Sequence, residues 1–273
     1  MQQPLIINAC LTGMVPTKDN NPALPVTPEE IIEDAVRCAE LGASIVHIHA
    51  RDKDEKPTWK AQVYADIIEG IRERNAELVI CVTTSGRNWP EIDKRAACLG
   101  CGADMASLTL GSLNFPRSVS MNSADTIVEL LKRIIHAGMR PEFEAFEVGM
   151  IDWARDYLIP KTGLKPPYYF NLLLGSRGTM ACNARNVATL VDALPSGSVW
   201  ALAGIGRYQA QANLMAIALG GHVRVGLEDN VYYTQDKSML ATNPMLIKRV
   251  VRMAEMYRRP ISTCAHTREV LGL

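Results

Sequence analysis

The sequence predicts a closed (β/α)8 barrel of the TIM type, α/β in class, and three observations point to it. Short apolar, β-branched runs alternate eight times with longer stretches of helical periodicity. Several of those runs are almost continuously apolar, as strands covered on both faces by crossover helices should be. Glycines stand where helix hands over to strand, at Gly42, Gly102, Gly138 and Gly220, the usual C-terminal caps. An open doubly wound sheet shares the alternation, but eight strand–helix units favour closure. No linker, low-complexity segment or composition shift divides the 273 residues, so one barrel over residues 1–273 is expected.

In chain order the expected strands are 5–9, 44–49, 78–83, 105–108, 142–146, 168–173, 199–202 and 223–227. The first helix, over 27–41, opens with Thr27 as a cap and Pro28 in the first turn, where its missing N–H costs nothing. Its Ile31, Ala35, Cys38 and Ala39 recur at helical spacing. Further helices are expected over 63–74, 91–99, 124–136, 152–158, 185–193, 208–219 and 243–257.

Composition narrows the partners. Lysine plus arginine equals aspartate plus glutamate at 29 each, which gives no clustered positive field for nucleic acid or an anionic membrane. The longest apolar runs are strand-sized, far short of the roughly 20 residues that span a bilayer. The first residues carry no basic-led hydrophobic stretch, and seven scattered cysteines are an odd count. A cytoplasmic protein with reduced thiols is the expectation. Cys98 and Cys101 form a lone C-x-x-C, with no second pair to build a zinc ribbon, and belong to the end of a helix.

In a barrel, working residues sit at the C-terminal ends of strands. The second strand ends His47-Ile48-His49-Ala50-Arg51-Asp52. Residues i and i+2 of a strand share a face, so both imidazoles face inward while Val46 and Ile48 face the helices. The last strand runs Arg224-Val225-Gly226-Leu227-Glu228-Asp229-Asn230, which puts Arg224, Gly226 and Glu228 on one face, two strands from the histidines. His47, His49 and Glu228 then form a three-ligand site with an open position, the pattern of catalytic zinc. A single strand-end histidine is more often a hydrogen-bonded core residue; the pair is what points to a metal. His136, on a helix, His222, at the opposite barrel end, and His266, in the tail, are expected to bind none.

A buried Arg224 needs a carboxylate partner, and pairing with Asp229 holds that acid ionised and oriented to take a proton. Glu144 is the second candidate partner, with Glu142 nearly as good. Hydroxyls and glycines at Thr83-Thr84-Ser85-Gly86 and around Thr109 can cradle a carboxylate, although such clusters usually mark only turns. Gly204-Ile205-Gly206-Arg207 resembles a phosphate loop before a helix N-terminus.

These motifs together resemble the β-keto acid cleavage enzymes, over essentially the whole chain. The likeness runs from Val15-Pro16-Thr17-Lys18 and the Asn21–Glu30 stretch through the His47–Asp52 and Ala106–Leu108 segments. Gly111–Phe115, Pro141–Glu144, Gly204–Arg207, Arg224–Asn230 and the closing Arg268–Leu273 complete it. The resemblance implies a zinc-bearing homo-oligomer, commonly a tetramer, that converts a β-keto acid and acetyl-CoA into acetoacetate and a new acyl-CoA. It assigns zinc to His47, His49 and Glu228 and the base to Asp229, positioned by Arg224 with Glu144. Thr83, Ser85, Gly86 and Thr109 would meet the substrate carboxylate. Members that accept an amino-bearing acid carry glutamate where this chain has Val15, so an uncharged, apolar substrate tail is expected. The rivals are an amidohydrolase-type zinc hydrolase, which needs further ligand histidines at later strands, a CoA-independent metal aldolase or lyase, and a barrel whose zinc only braces loops.

Overall fold

Eight parallel strands close into a ring in a computed structural model that describes residues 3–115 and 118–273. They begin with β1 (Ile7–Cys10), β2 (Ile45–Ile48), β3 (Val79–Val82) and β4 (Met105–Thr109). A short antiparallel hairpin of β5 (Leu113–Phe115) and β6 (Ser118–Ser120) follows. The ring continues with β7 (Arg140–Ala145), β8 (Tyr168–Leu174), β9 (Ser198–Gly204) and β10 (His222–Val225), and β10 pairs with β1. The expected barrel is therefore the fold.

The outer layer begins with α1 (Pro28–Glu40), α2 (Ala61–Arg74), α3 (Ile92–Ala96) and α4 (Ala124–His136). It continues with α5 (Val148–Trp153), α6 (Ile159–Thr162), α7 (Ala184–Ala193), α8 (Gln209–Ala218), α9 (Asn243–Met256) and α10 (Cys264–Leu271). Local chemistry explains the helix starts. Thr27 accepts from the Glu30 amide while the Glu30 carboxylate accepts from the Thr27 amide, a reciprocal cap, with Pro28 in the first turn. Ile31, Ala35 and Cys38 are buried against the barrel as their spacing requires. Gly42, Gly102, Gly138 and Gly220 all take positive φ, as helix-ending glycines do.

Strand alternation separates two cores. Val46, Ile48, Val223 and Val225 point outward and pack under the helices. Ile6, Ile45, Val79, Met105 and Tyr169 fill the inside, closed by Leu271 of α10. Polar groups continue this inner face toward the other end of the strands: Asn8, His47, Glu142, Asn171 and Arg224 are all buried.

Four expectations need correction. The hairpin β5–β6 was not foreseen. The region around His266 is not a tail but helix α10, capped by the Thr263 hydroxyl. The segment expected as one helix over 152–158 is α5, a π-helical stretch Ala154–Leu158 and α6. Finally, β10 ends at Val225, so Glu228 does not share a strand face with Arg224. A Cβ on Gly226 would lie 1.9 Å from the Cys10 carbonyl oxygen. The chain turns there, with the amides of Asp229 and Asn230 both donating to the Gly226 carbonyl and that of Glu228 to the Cys10 carbonyl.

Candidate active site

β1 lies between β2 and β10, so the two histidines and the Glu228–Asp229 turn meet above it. His47 projects inward from β2, and His49 follows just beyond the strand end. Their Nε2 atoms face each other at 3.2 Å. Glu228 Oε1 is 3.3 Å from His49 Nε2, and Oε2 is 3.9 Å from His47 Nε2. The distances suit a shared cation, because tetrahedral ligands held about 2.1 Å from a metal stand about 3.4 Å apart. Glu228 Oε2 is buried and makes no hydrogen bond, an orphaned acceptor that a cation would satisfy. Behind the pair, Glu142 Oε1 lies 3.0 Å from His47 Nδ1, although bent away from the ideal hydrogen-bond direction. A carboxylate there favours a proton on Nδ1 and leaves the Nε2 lone pair facing inward. Cys81 also approaches His47 and Glu142, but burial pushes its thiol well above the ordinary range.

Arg224 organises the acids. It is 1% exposed and reaches four carboxylates: Glu228 at 2.8 Å, Asp229 at 3.1 Å, Glu144 at 3.3 Å and Glu142 at 3.5 Å. Burial pushes the Glu228 carboxyl up, but His49, Arg224 and His47 together hold it well below the ordinary carboxylate range. Asp229, its neighbour in the chain, goes the other way. Burial raises it, and the Glu228 charge adds to that rise against the pull of Arg224. Two adjacent acids thus differ in kind, one a permanent anion and one with a heightened appetite for a proton. Of the two glutamates considered for Arg224, Glu144 is the nearer and accepts from the Thr109 hydroxyl at 2.7 Å. Glu142 serves His47 and accepts from the Asn8 side chain at 2.8 Å.

A cavity of about 420 Å³ opens onto this cluster. Val15, Thr83, Ser85 and Thr109 line it, beside His49, Glu144, Arg224, Glu228 and Asp229. Gly86 does not; a Cβ there would strike the Arg95 guanidinium at 2.6 Å, so its role is to let Arg95 pack behind the loop. The loop after β9 is only partly available for phosphate. The Gly206 amide already donates to the Asp229 carbonyl, and Gly204 sits where a Cβ would collide with the Tyr208 backbone. Arg207 is exposed and rests against Tyr208.

His222 lies at the other barrel end, where its Nδ1 accepts from the Ile6 amide. His136 ends α4 and His266 lies in α10, so neither approaches the site. All seven cysteines are free, and Cys98 ends at the helix side with its Sγ near the Thr83 carbonyl.

Sequence reasoning passed over Arg51 and Arg87. Arg51 donates to the carbonyls of Gly13 and Pro16 at 2.6 and 2.9 Å, tying down the loop that carries Val15. Gly13 takes φ +68, and a Cβ on it would lie 2.6 Å from Glu228 Cγ. Arg87 lines the cavity over the ring of Phe115. Only the H-x-H-x-R spacing hinted at the first, and nothing local marked the second.

A family model described as beta-keto acid cleavage enzyme matches residues 4–273. The chain belongs to that family. This β-keto acid cleavage enzyme is 39% identical over 276 aligned residues to the 3-keto-5-aminohexanoate cleavage enzyme of Fusobacterium nucleatum, covering 100% of this chain and 99% of that one. It is 36% identical to the 3-oxoadipate:acetyl-CoA acetyltransferase of Cupriavidus necator, over 100% of this chain and 96% of that one. It superposes on solved structures of ObcA. For the apo form the TM-score is 0.80 at 21% identity, over 92% of this chain and 66% of ObcA. For a ternary complex of ObcA with a C4-CoA adduct and oxalate it is 0.81 at 22%, over 92% and 68%. The chain thus spans about two thirds of the length of ObcA, and at such identity the likeness carries the barrel alone. Among the described residues, no helix is long and apolar enough to cross a membrane.

Proposed function

We propose that this β-keto acid cleavage enzyme converts a β-keto acid and acetyl-CoA into acetoacetate and the acyl-CoA of the substrate's tail, with a zinc ion held by His47, His49 and Glu228. One observation carries the reading. Arg224 grips two chain-adjacent acids at once, Glu228 beside the paired imidazoles of His47 and His49 and Asp229 next to it, and both acids open on the same cavity. The name of the Cupriavidus relative, which pairs a 3-oxo acid with acetyl-CoA, supports the co-substrate.

A bound divalent cation would polarise the keto oxygen and acidify the carbon between keto group and carboxylate. Asp229 takes the proton from that carbon, and Arg224, braced by Glu144, keeps the carboxylate aimed. Thr83 and Ser85 present hydroxyls to the substrate carboxylate, with Gly86 keeping their loop close-packed, while Thr109 lines the same wall and spends its hydroxyl proton on Glu144. The carbanion carbon attacks the thioester carbonyl of acetyl-CoA, and the CoA thiolate leaves. That thiolate then adds to the former keto carbon, and the bond between this carbon and its carbanion neighbour breaks. The carbanion so released takes back the proton held by Asp229 and departs as acetoacetate carrying the acetyl group, while CoA keeps the tail acyl group. In the loop after β9, Gly204 and Gly206 shape the turn, and Arg207, open to solvent, is the member assigned to CoA phosphate.

The substrate tail carries no cation. Val15 at the mouth offers no carboxylate, and the acids deeper in the cavity are already held by Arg224. A homotetramer in a reducing cytoplasm completes the reading, supported by seven free cysteines and the family's habit.

The deciding assay incubates the purified protein with a panel of β-keto acids and follows acetoacetate with and without acetyl-CoA. Product should require acetyl-CoA. D229N should lower kcat by about 10²–10⁴-fold, the usual worth of a positioned general base, while metal content stays at one per chain. E228Q should lose the metal yet remain folded by circular dichroism. Turnover without acetyl-CoA would replace the proposal with an aldolase or lyase, and unfolding of E228Q would favour a bracing metal.

A further inference from the structure

Among the described residues two arginines line the cavity, and their situations are opposite. Arg224 is engaged by four carboxylates. Among the described residues Arg87, on the loop after β3, forms no ion pair and its guanidinium donates no hydrogen bond. Its side chain is half-buried and sits 4.0 Å over the ring of Phe115, which meets Phe146 edge-on. Burial works against its charge, and the distant fields of Glu228 and Glu144 work for it. A guanidinium carries its donors in its plane, so seating over an aromatic ring leaves the N–H groups unengaged. A partly desolvated cation with unused donors is a costly arrangement unless an anion completes it. The hydroxyl residues Ser118 and Ser120 share the cavity wall, as do the apolar side chains of Phe115, Phe146 and Leu173. That combination suits a short methylene chain ending in a charged group.

We infer that the tail of the β-keto acid ends in a second carboxylate, held by Arg87, so that the substrate is a 3-oxo dicarboxylic acid. The inference rests on the proposed reaction and names its substrate class. It also revises the expectation of an apolar tail, because Val15 turns away a cation and has no bearing on an anion. The first carboxylate does not serve Arg87, since it must lie at the reacting carbon beside Asp229 and Glu228, and neither acid forms an ion pair with Arg87. The other source of negative charge is acetyl-CoA, whose phosphates stand a full pantetheine arm from the thioester.

The test uses the full-length enzyme, R87Q and R87K with a matched pair of substrates, 3-oxohexanedioate and 3-oxohexanoate. The wild type should prefer the diacid. R87Q should lower kcat/KM for the diacid by about 10- to 100-fold, the worth of a charge-assisted hydrogen bond, mainly through KM. The monoacid should change less than about threefold on the same scale. R87K should recover part of the preference, and the KM for acetyl-CoA should stay put. Preference of the wild type for the monoacid, or an equal loss on both acids, overturns the inference. A rise in the KM for acetyl-CoA gives Arg87 to a CoA phosphate and overturns it too. Calorimetry with hexanedioate and hexanoate, in the absence of acetyl-CoA, decides the anion site without turnover. Tighter binding of hexanedioate, lost in R87Q, upholds the site even if no β-keto acid yields acetoacetate; equal binding of the two removes it.

Discussion

Arg224 shows how a single side chain can be structural and functional at once. Its charge offsets four buried acids, and its planar fork sets their directions. Lysine keeps the charge but replaces the fork by one compact ammonium. R224K should therefore stay folded while kcat falls by roughly 10²-fold, the scale of losing preorganised electrostatics. R224M should instead lose about 3–5 kcal/mol of stability, because Glu142, Glu144, Glu228 and Asp229 would be left buried and mutually repelling. Thermal melts alongside kcat separate the two effects; a fully active R224K would mean that charge alone suffices. The need of this arginine for acids was legible in the sequence, since a charged residue on an inward strand face has few ways to be stable. The pairing of Glu142 with His47 was not, because it joins residues from strands that are not neighbours but stand three places apart in the ring.

The turn after β10 is where strand geometry gives way to site geometry. Gly226 allows the backbones of β1 and β10 to close in, and the Glu228 amide then anchors to the Cys10 carbonyl at 3.2 Å. G226A should force those strands apart, cost about 1–3 kcal/mol and move Glu228 off the histidines. Metal content by elemental analysis should fall below half of wild type. G149A in α5 is the control, since a Cβ there meets nothing within 4 Å and alanine suits a helix better. Full metal occupancy in G226A would show that the turn tolerates more than its contacts indicate. The reason Gly226 escaped a strand-period reading is physical. Period two is a property of a pleat, and the pleat ends where a contact with Cys10, more than two hundred residues earlier, dictates a turn. The hairpin β5–β6 was hidden differently: three-residue strands are too short to establish a period. By contrast the helix α1 was legible at both ends, because its Thr27 cap with Pro28 and its Gly42 stop are local signals.

The barrel divides its labour between its two ends. One end gathers the titratable groups of the cavity, and the other is sealed by Leu271, with Asp104 before β4 paired to Arg72 and Arg268 beside it. His222 is the weak point of the sealed end. It is buried, and its Nδ1 accepts from the Ile6 amide at 3.0 Å, an acceptor role that protonation destroys. Burial is the main cause that pushes its pKa down from 6.5 to about 3, with Arg259 and His266 adding to the shift. In the unfolded chain the imidazole titrates near its ordinary value of about 6.5. Above that value both states are neutral and the stabilising contact is fully present. Between there and about pH 3 the unfolded chain binds a proton that the folded one refuses, so stability falls as pH falls. From pH 7 to pH 5 the loss should be about 2 kcal/mol, at about 1.4 kcal/mol for each unit below the unfolded value. For a chain of this length that is about 4–8 °C in Tm. H222N keeps an oxygen acceptor for the Ile6 amide but does not titrate, so its Tm should drop by that much less over the same pH interval. The comparison of the two slopes isolates His222 from the acids of the cavity, which are identical in both proteins. Parallel slopes would place the acid sensitivity of the fold at the catalytic end instead.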